Sequence, residues 1–448
     1  MRRMKSLGAV MAATLLAACG EAASPAPAPQ PFTATPAMDA FPGVQGHGRK
    51  AVGGRGGRVV AVTTLADAGP GSLRACIDMV GPRVCVFRVA GVIRYTTKRP
   101  IIKNPYLTIA GQTAPGGGIL LTHAGGADGF TPLVVKNTHD VIIRHIRVRP
   151  DRSGEQRGAN SAIVIEASRR VVLDHVSTSW SLDENVGGYA GNDEITISNS
   201  IFAEGIPRHD KCALLASDPT GPQHLSFIRN LCAHNGDRNP DINFPPGSCV
   251  EVINNVLYNG VFEFAEIWES YGGTPVSLVG NYFRAGPSTR RGQAHALVYQ
   301  SVGSTGHAGM YERGSLFDGV LPENSGVAAI RVGAPTCPLT MAALDAKAAY
   351  AVVLDQSGAL PRDSVDRRIV DEVRTRTGHI VAAAGQLPVI APGRAYPDSD
   401  GDGMADDWEV AHGLDPNRFD AWGDRDRDGW TNLDEFLEAR SRTLVDHR

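Results

Sequence analysis

Two stretches near the end of the chain carry the most explicit chemistry. "DSDGDGMADDWE" sets Asp398, Asp400, Asp402, Met404, Asp406 and Glu409 at positions 1, 3, 5, 7, 9 and 12 of a loop, with Gly403 at position 6. "DRDRDGWTNLDE" repeats the arrangement with Asp424, Asp426, Asp428, Trp430, Asn432 and Glu435, and Gly429 at the turn. This is the spacing of an EF-hand-type loop: short carboxylates converge on one hard cation, and position 7 gives a backbone carbonyl. The implied ion is Ca2+ in a structural role, because the tail has few apolar residues with which to build a core. A third stretch, "AHNGDRNPDIN" (233–243), places Arg238 in a polar loop just after an apolar strand, beside Asp237, Asn239 and Pro240. A guanidinium there is either a loop cation paired with Asp237 or Asp241, or a charge set where chemistry develops charge.

The elements that must hold these residues show in a repeat. Between residues 130 and 285 the segments "VIIRHIRV", "VVLDHVST", "ITISNSIF", "LSFIRNLC", "VEVINNVL" and "VSLVGNYF" share period-two alternation with β-branched residues, which means strands. Their polar pivots are His145, His175, Asn199, Asn230, Asn255 and Asn281. One such unit cannot bury its own apolar face, but a stack can, so the expectation is a parallel β-helix. Asparagine tolerates the left-handed corner of a coil, and four asparagines in register would form an internal ladder; they read as scaffold. Residues 340–378 are Ala-rich and amphipathic and predict two short helices broken at "SGALPRDS", packed outside the solenoid or across its end.

The bulk numbers agree. A chain of 448 residues with 42% hydrophobic content supports one large domain plus a smaller one. Its 51 glycines and 29 prolines, against 6% aromatics, suit a turn-rich β protein. A net charge of −3 argues against a nucleic-acid partner. The N-terminus has a basic start, "MRRMK", and a short apolar run ending in "LAAC". It resembles a bacterial lipobox, so residues 1–18 read as a lipoprotein signal peptide and Cys19 as the lipidation site. Residues 19–40 form a Pro/Ala-rich tether. The implied localisation is that of an exported bacterial lipoprotein on the outer membrane or cell surface, the alternative being a secreted or periplasmic protein. Six cysteines remain, an even number that suggests disulfides in an exported chain. Cys76 with Cys85 is the favoured local pair; the others pair in several possible ways.

Over about residues 41–395 the chain resembles bacterial family 1 polysaccharide lyases, the pectate lyase family. The likeness rests on "FPGVQGHGRKAVGGRGG", "VTTLADAGPGSLR", "VFRVAGVI", "LTIAGQTAPGGGI", "IIRHIRVRPD", "LDHVSTSWSLDE", "AEGI", "NLCAHNGDRNP" and "VDRRIVDEVRTRTG", in family order. The tail, 396–448, resembles dockerin-like or thrombospondin-type calcium repeats. The resemblance implies a right-handed parallel β-helix with short peripheral helices and a small C-terminal calcium-loop domain. It implies cleavage of an acidic polysaccharide by β-elimination, assisted by calcium, with Arg238 as the base or carboxylate clamp and Lys211 as a second cation. It places the acidic calcium pair at Asp183 and Glu184, and makes Asp174 and His175 a structural pair.

The chain departs from the family pattern in three places: Asn160 and Ser161 stand where many members have an acidic ligand, Gly187 or Gly188 where another follows, and Asn243 where some have a second arginine. Asp151, Asp193 or Asp210 then become candidates to compensate, or Arg152, Arg157, Arg208 and Lys211 take over the load. His234, near Arg238 in sequence, is expected to line the same cleft.

Three functions compete. The first is a surface-anchored, calcium-assisted lyase on pectate or a related polyuronate, a monomer held to the membrane only by its N-terminal lipid. The alternative is a non-catalytic acidic-glycan-binding lipoprotein. Hydrolysis is the third; it needs two separated carboxylates, whereas Asp183 and Glu184 adjoin and on a strand would face opposite ways.

Overall fold

The computed structural model describes residues 38–123, 131–150, 160–207 and 209–446. The signal peptide, Cys19 and the tether up to residue 37 lie outside the described residues, as do Asp151, Arg152, Arg157 and Arg208.

The alternating runs do what their period demands. The coils contribute strands to three parallel sheets of ten, nine and nine strands among the described residues. On the first sheet Leu173, Ile197, Phe227, Val252 and Leu278 stand in one register column through successive coils, and all are buried. Each strand alone would leave this half of its side chains in water; stacked coils merge them into one continuous interior. The expected parallel β-helix is therefore the architecture.

The corners refine the ladder. His145, His175, Asn199, Arg229, Asn254 and Gly280 hold the left-handed conformation, with φ between 49° and 62°. The internal ladder runs one residue later. Asn230 Oδ1 accepts from Ser200 N at 3.0 Å, Asn255 Oδ1 from Asn230 N at 2.8 Å, and Asn281 Oδ1 from Asn255 N at 2.9 Å. Asn199 is thus a corner residue bonded to Asp174, and the expected run of four asparagines is three, flanked by Ser200 and Ser315. Corner and ladder are adjacent positions with different demands, and asparagine suits both.

Three disulfides cross-link the coils: Cys76–Cys85, as favoured, with Cys212–Cys232 and Cys249–Cys337. A short helix, α1 (Leu73–Asp78), sits beside the first strands. The two predicted helices form as α2 (Ala346–Gln356) and α3 (Ser364–Thr375). They pack outside the solenoid, where Ile369, Val370 and Val373 meet Ile201, Leu231 and Val256 of the third sheet. Arg149 bonds Asp363 and Asp366 at 2.5 and 2.7 Å beneath α3, so the buried charges there are paired.

The tail contributes α4 (Asp406–Ala411) and α5 (Asn432–Asp446). It borrows its core: Met404, Leu433 and Phe436 cluster with Val84, Val86 and Ala110 of the first sheet. Arg55 to Asp434 at 2.7 Å and Arg144 to Glu438 at 3.0 Å fasten α5 to the solenoid.

Candidate active site and calcium loops

Parallel stacking turns distant sequence positions into neighbours about 4.8 Å apart. On the second sheet Glu184 opens the strand Glu184–Tyr189 and pairs in register with Lys211, the first residue of the strand Lys211–Ser217. Lys211 in turn bridges to Asp237 on the next coil, and Asp241 pairs with Glu266 beyond it. Arg238 lies within this row, its backbone left-handed at φ 49° and its carbonyl accepting from Ala213 N at 3.0 Å. The structure therefore brings Arg238, Lys211, Asp183 and Glu184 together.

Their contacts are specific. Arg238 Nη1 donates to Glu184 Oε1 at 2.5 Å, and its Nε lies 3.3 Å from Asp241 Oδ2. Lys211 Nζ is paired with Asp237 Oδ1. Glu184 is 1% exposed; its other oxygen takes the Tyr189 hydroxyl at 3.2 Å and Ser161 Oγ at 3.5 Å. Asp183 Oδ1 lies 3.3 Å from His209 Nδ1. The two adjoining carboxyls do not face apart as expected, because Asp183 falls in the bend before the strand. Burial, then Glu184's charge and hydrogen bond, push the Asp183 carboxyl up to about 7.

The row is crowded with negative charge. Burial pushes Asp241 up to about 7 in spite of Arg238, and burial with Asp241's charge pushes Glu266 up to about 8. Glu263 and Asp210 are raised by burial and by Asp237's charge. Burial alone would loosen the Arg238 proton, but Asp241 and Glu184 outweigh it and hold the guanidinium above its ordinary value. Asp241 Oδ1 is buried without a hydrogen-bond partner.

Among the suggested compensating residues, Asp210 belongs here, since Asp237 and Lys211 both act on it. Asp193 does not: it pairs with His224 on the first sheet. Asn243 spends its amide on Ser270 at 2.9 Å. His234 does not line this cleft. It is fully buried, with Nδ1 on Asn259 and Nε2 3.2 Å from Glu372 of α3; it precedes the corner that swings Arg238 round to the second sheet. Asp174 and His175 are structural, tied to Arg144, Ser198 and Asn199. Asp241 was named in the sequence only as a pairing partner for Arg238, a contact the structure contains, whereas Glu263 and Glu266 were not singled out. The three-residue offset of Asp241 from Arg238 was the one available signal; nothing local marks Glu263 and Glu266.

All-oxygen carboxylate donors suit calcium. At the cleft Asp183 and Glu184 are adjoining donors of that kind, and a cation there would offset the burial and the Glu184 charge that raise Asp183. In the tail, carboxylate oxygens of Asp398, Asp400 and Asp402 lie within 4.8 Å of one another, as do those of Asp424, Asp426 and Asp428. Gly403 and Gly429 take φ of 92° and 101°, the left-handed turn that position 6 requires. Burial and the charges of Asp402, Asp400 and Asp420 push Glu409 up to about 8, and Glu435 is raised by burial and its own loop's aspartates. Two template positions depart from ligation. Asp406 accepts from Ser399 N and Oγ at 2.8 and 2.7 Å. Asn432 accepts from Arg425 N and donates to Asp420. The Met404 side chain is buried in the tail's core, and Trp430 stacks on Arg55.

No protein-family model matches the chain. A probable pectate lyase C of Aspergillus flavus is 34% identical over 433 residues, covering 92% of this chain and 95% of that one. A protein of the same description from Aspergillus fumigatus is 35% identical over 428 residues, covering 92% and 95%. These relatives are fungal, which bears on family and not on the source of this chain. Among solved structures, the major allergen from cedar pollen superposes with a TM-score of 0.53 at 17% identity, covering 71% of this chain and 93% of that one. A thermostable pectate lyase gives 0.51 at 16% identity, covering 70% and 96%. Both likenesses concern the fold.

Proposed function

The chain belongs to the pectate lyase family, and from that premise we propose that it cleaves pectate or a related polyuronate by β-elimination with the help of calcium. One observation carries the calcium part: the row around Arg238 and Lys211 is lined by Asp183, Glu184, Asp210, Asp237, Asp241 and Glu263. Such a surface repels a polyanion unless cations intervene. Calcium held by Asp183 and Glu184 would supply positive charge to substrate carboxylates.

The reaction removes the C5 proton, breaks the C4–O bond and leaves a C4=C5 double bond. Charge develops on the carboxylate next to C5 and must be met by fixed cations. Arg238 is the side chain placed for this, half-buried and held in one orientation by Glu184 on one side and Asp241 on the other. In that grip it stays protonated, which suits the carboxylate clamp; taking the C5 proton requires its own proton to leave first, against both anions. Lys211, fixed by Asp237 one rung away, neutralises a neighbouring substrate carboxylate. The tail calcium loops serve to fold the tail onto the first sheet. The "LAAC" motif supports lipidation at Cys19, with the Pro/Ala-rich segment that follows it as the tether, whereas Asp39 and Ala40 pack onto the folded body.

The test is Arg238→Ala on polygalacturonate with calcium, followed by ultraviolet absorbance of unsaturated uronate. Loss of product with retained polymer binding supports the lyase reading. Wild-type protein that binds acidic glycans and forms no product would instead favour the non-catalytic alternative.

A further inference from the structure

The first tail loop is assembled differently from its linear template. Carboxylate oxygens of Asp402, Glu409 and Asp420 lie within 4.8 Å of one another, although Asp420 falls well outside the twelve-residue motif. Glu409 and Asp402 are 0% exposed. Both oxygens of Glu409 are buried without a hydrogen-bond partner, and so is Oδ2 of Asp400. A buried carboxylate left bare is costly unless an ion meets it. Asp406, the template's ninth position, is committed to Ser399.

We propose that Asp420 is a ligand of the first tail cation, joining Asp402 and Glu409 with Asp398 and Asp400, and that Asp406 is not a ligand. The donors are all hard oxygens on adaptable loops, which favours Ca2+ over the smaller Mg2+. Asp420 keeps capacity for the ion. Its Oδ1 accepts from Asn432 Nδ2 at 3.3 Å, its Oδ2 from the exposed Arg418 at 3.2 Å, and its backbone N donates to Asp402 Oδ2 at 3.3 Å.

The assignment explains the second loop's departure. Asn432 donates to the Asp420 carbonyl at 2.8 Å, while Asn432 N bonds the Gly423 carbonyl at 2.7 Å. Position 9 of the second loop thus braces a ligand of the first. Because Asn432 begins α5, an ion on Asp420 steadies the helix whose Asp434 and Glu438 grip Arg55 and Arg144.

The proposal rests on the calcium reading of the tail, and the test separates the two. Calcium-stripped full-length protein carrying Asp183→Asn, which removes the cleft's contribution, is titrated with calcium by calorimetry without substrate. Adding Asp420→Asn or Glu409→Gln should abolish one equivalent or weaken it at least 100-fold; adding Asp406→Asn should change it less than threefold. Loss of an equivalent in Asp406→Asn with retention in Asp420→Asn overturns the proposal and restores the linear template. Absence of tail binding even before these changes overturns the calcium reading itself, and the proposal with it. A folding defect is recognised by a second readout. In chelator, Glu409→Gln should match or exceed the parent Tm, since it removes a bare buried charge, while its calcium-induced rise in Tm shrinks. A lowered Tm in chelator with the full calcium-induced rise contradicts the assignment.

Discussion

Asp241 offers a direct measure of how much the cleft's crowded charge costs the fold. It is 3% exposed, one oxygen has no partner, and its carboxyl is pushed up to about 7. An unfolded aspartate titrates near ~3.9. Between those values the native state keeps a proton that the unfolded chain releases, so the fold loses stability as pH rises from about 4 to about 7 and levels off above. Three pH units correspond to about 4 kcal/mol, a ceiling that relaxation around the site reduces. Asp241→Asn removes this titration. Urea unfolding in chelator at pH 5 and pH 8 should show wild type losing up to about 2.5 kcal/mol more than Asp241→Asn across that interval. Calcium should narrow the gap by neutralising the neighbouring carboxylates. Equal pH dependence of stability in the two proteins would refute the reasoning.

Other outcomes follow from the same geometry. Arg238→Ala should lower kcat by roughly 10²–10⁴-fold, measured by initial rates on polygalacturonate, and Arg238→Lys should restore little because one ammonium cannot span Glu184 and Asp241. Lys211→Ala should cost roughly 10²-fold in kcat/KM, with a steeper calcium requirement, since Asp237 is left unneutralised. The Asp183 carboxyl at about 7 is protonated below that pH and charged above it. Half-saturating calcium for activity should therefore be up to about tenfold higher at pH 6 than at pH 8. Cys19→Ala should abolish incorporation of labelled fatty acid and release the protein from the membrane fraction; unchanged fractionation would remove the proposed anchor.

The solenoid was legible because its signal is long-range repetition: six alternating segments with polar pivots admit few other arrangements. The ladder was misread by one residue at Asn199, since the corner and the ladder both accept asparagine. Arg238 and Lys211, named through the resemblance, come together on neighbouring coils, yet their partners were only half visible. Glu184 and Asp241 stand near known positions, whereas Glu266 reaches the site only through coil stacking, which no local pattern encodes. His234 shows the converse error. Only three residues separate it from Arg238, but the chain turns a corner there and delivers the two side chains to different faces. In the tail, Asp420 lies outside the linear template although its carboxylate reaches Asp402 and Glu409, because loop closure from outside a motif leaves no mark on spacing.

The central claim is elimination at this site, and the mass of the products tests it most directly. Polygalacturonate digested with calcium should yield oligomers whose new ends lack one water and absorb in the ultraviolet, formed roughly 10²–10⁴-fold more slowly with Arg238→Ala. Saturated ends, or tight binding without scission, would contradict the account.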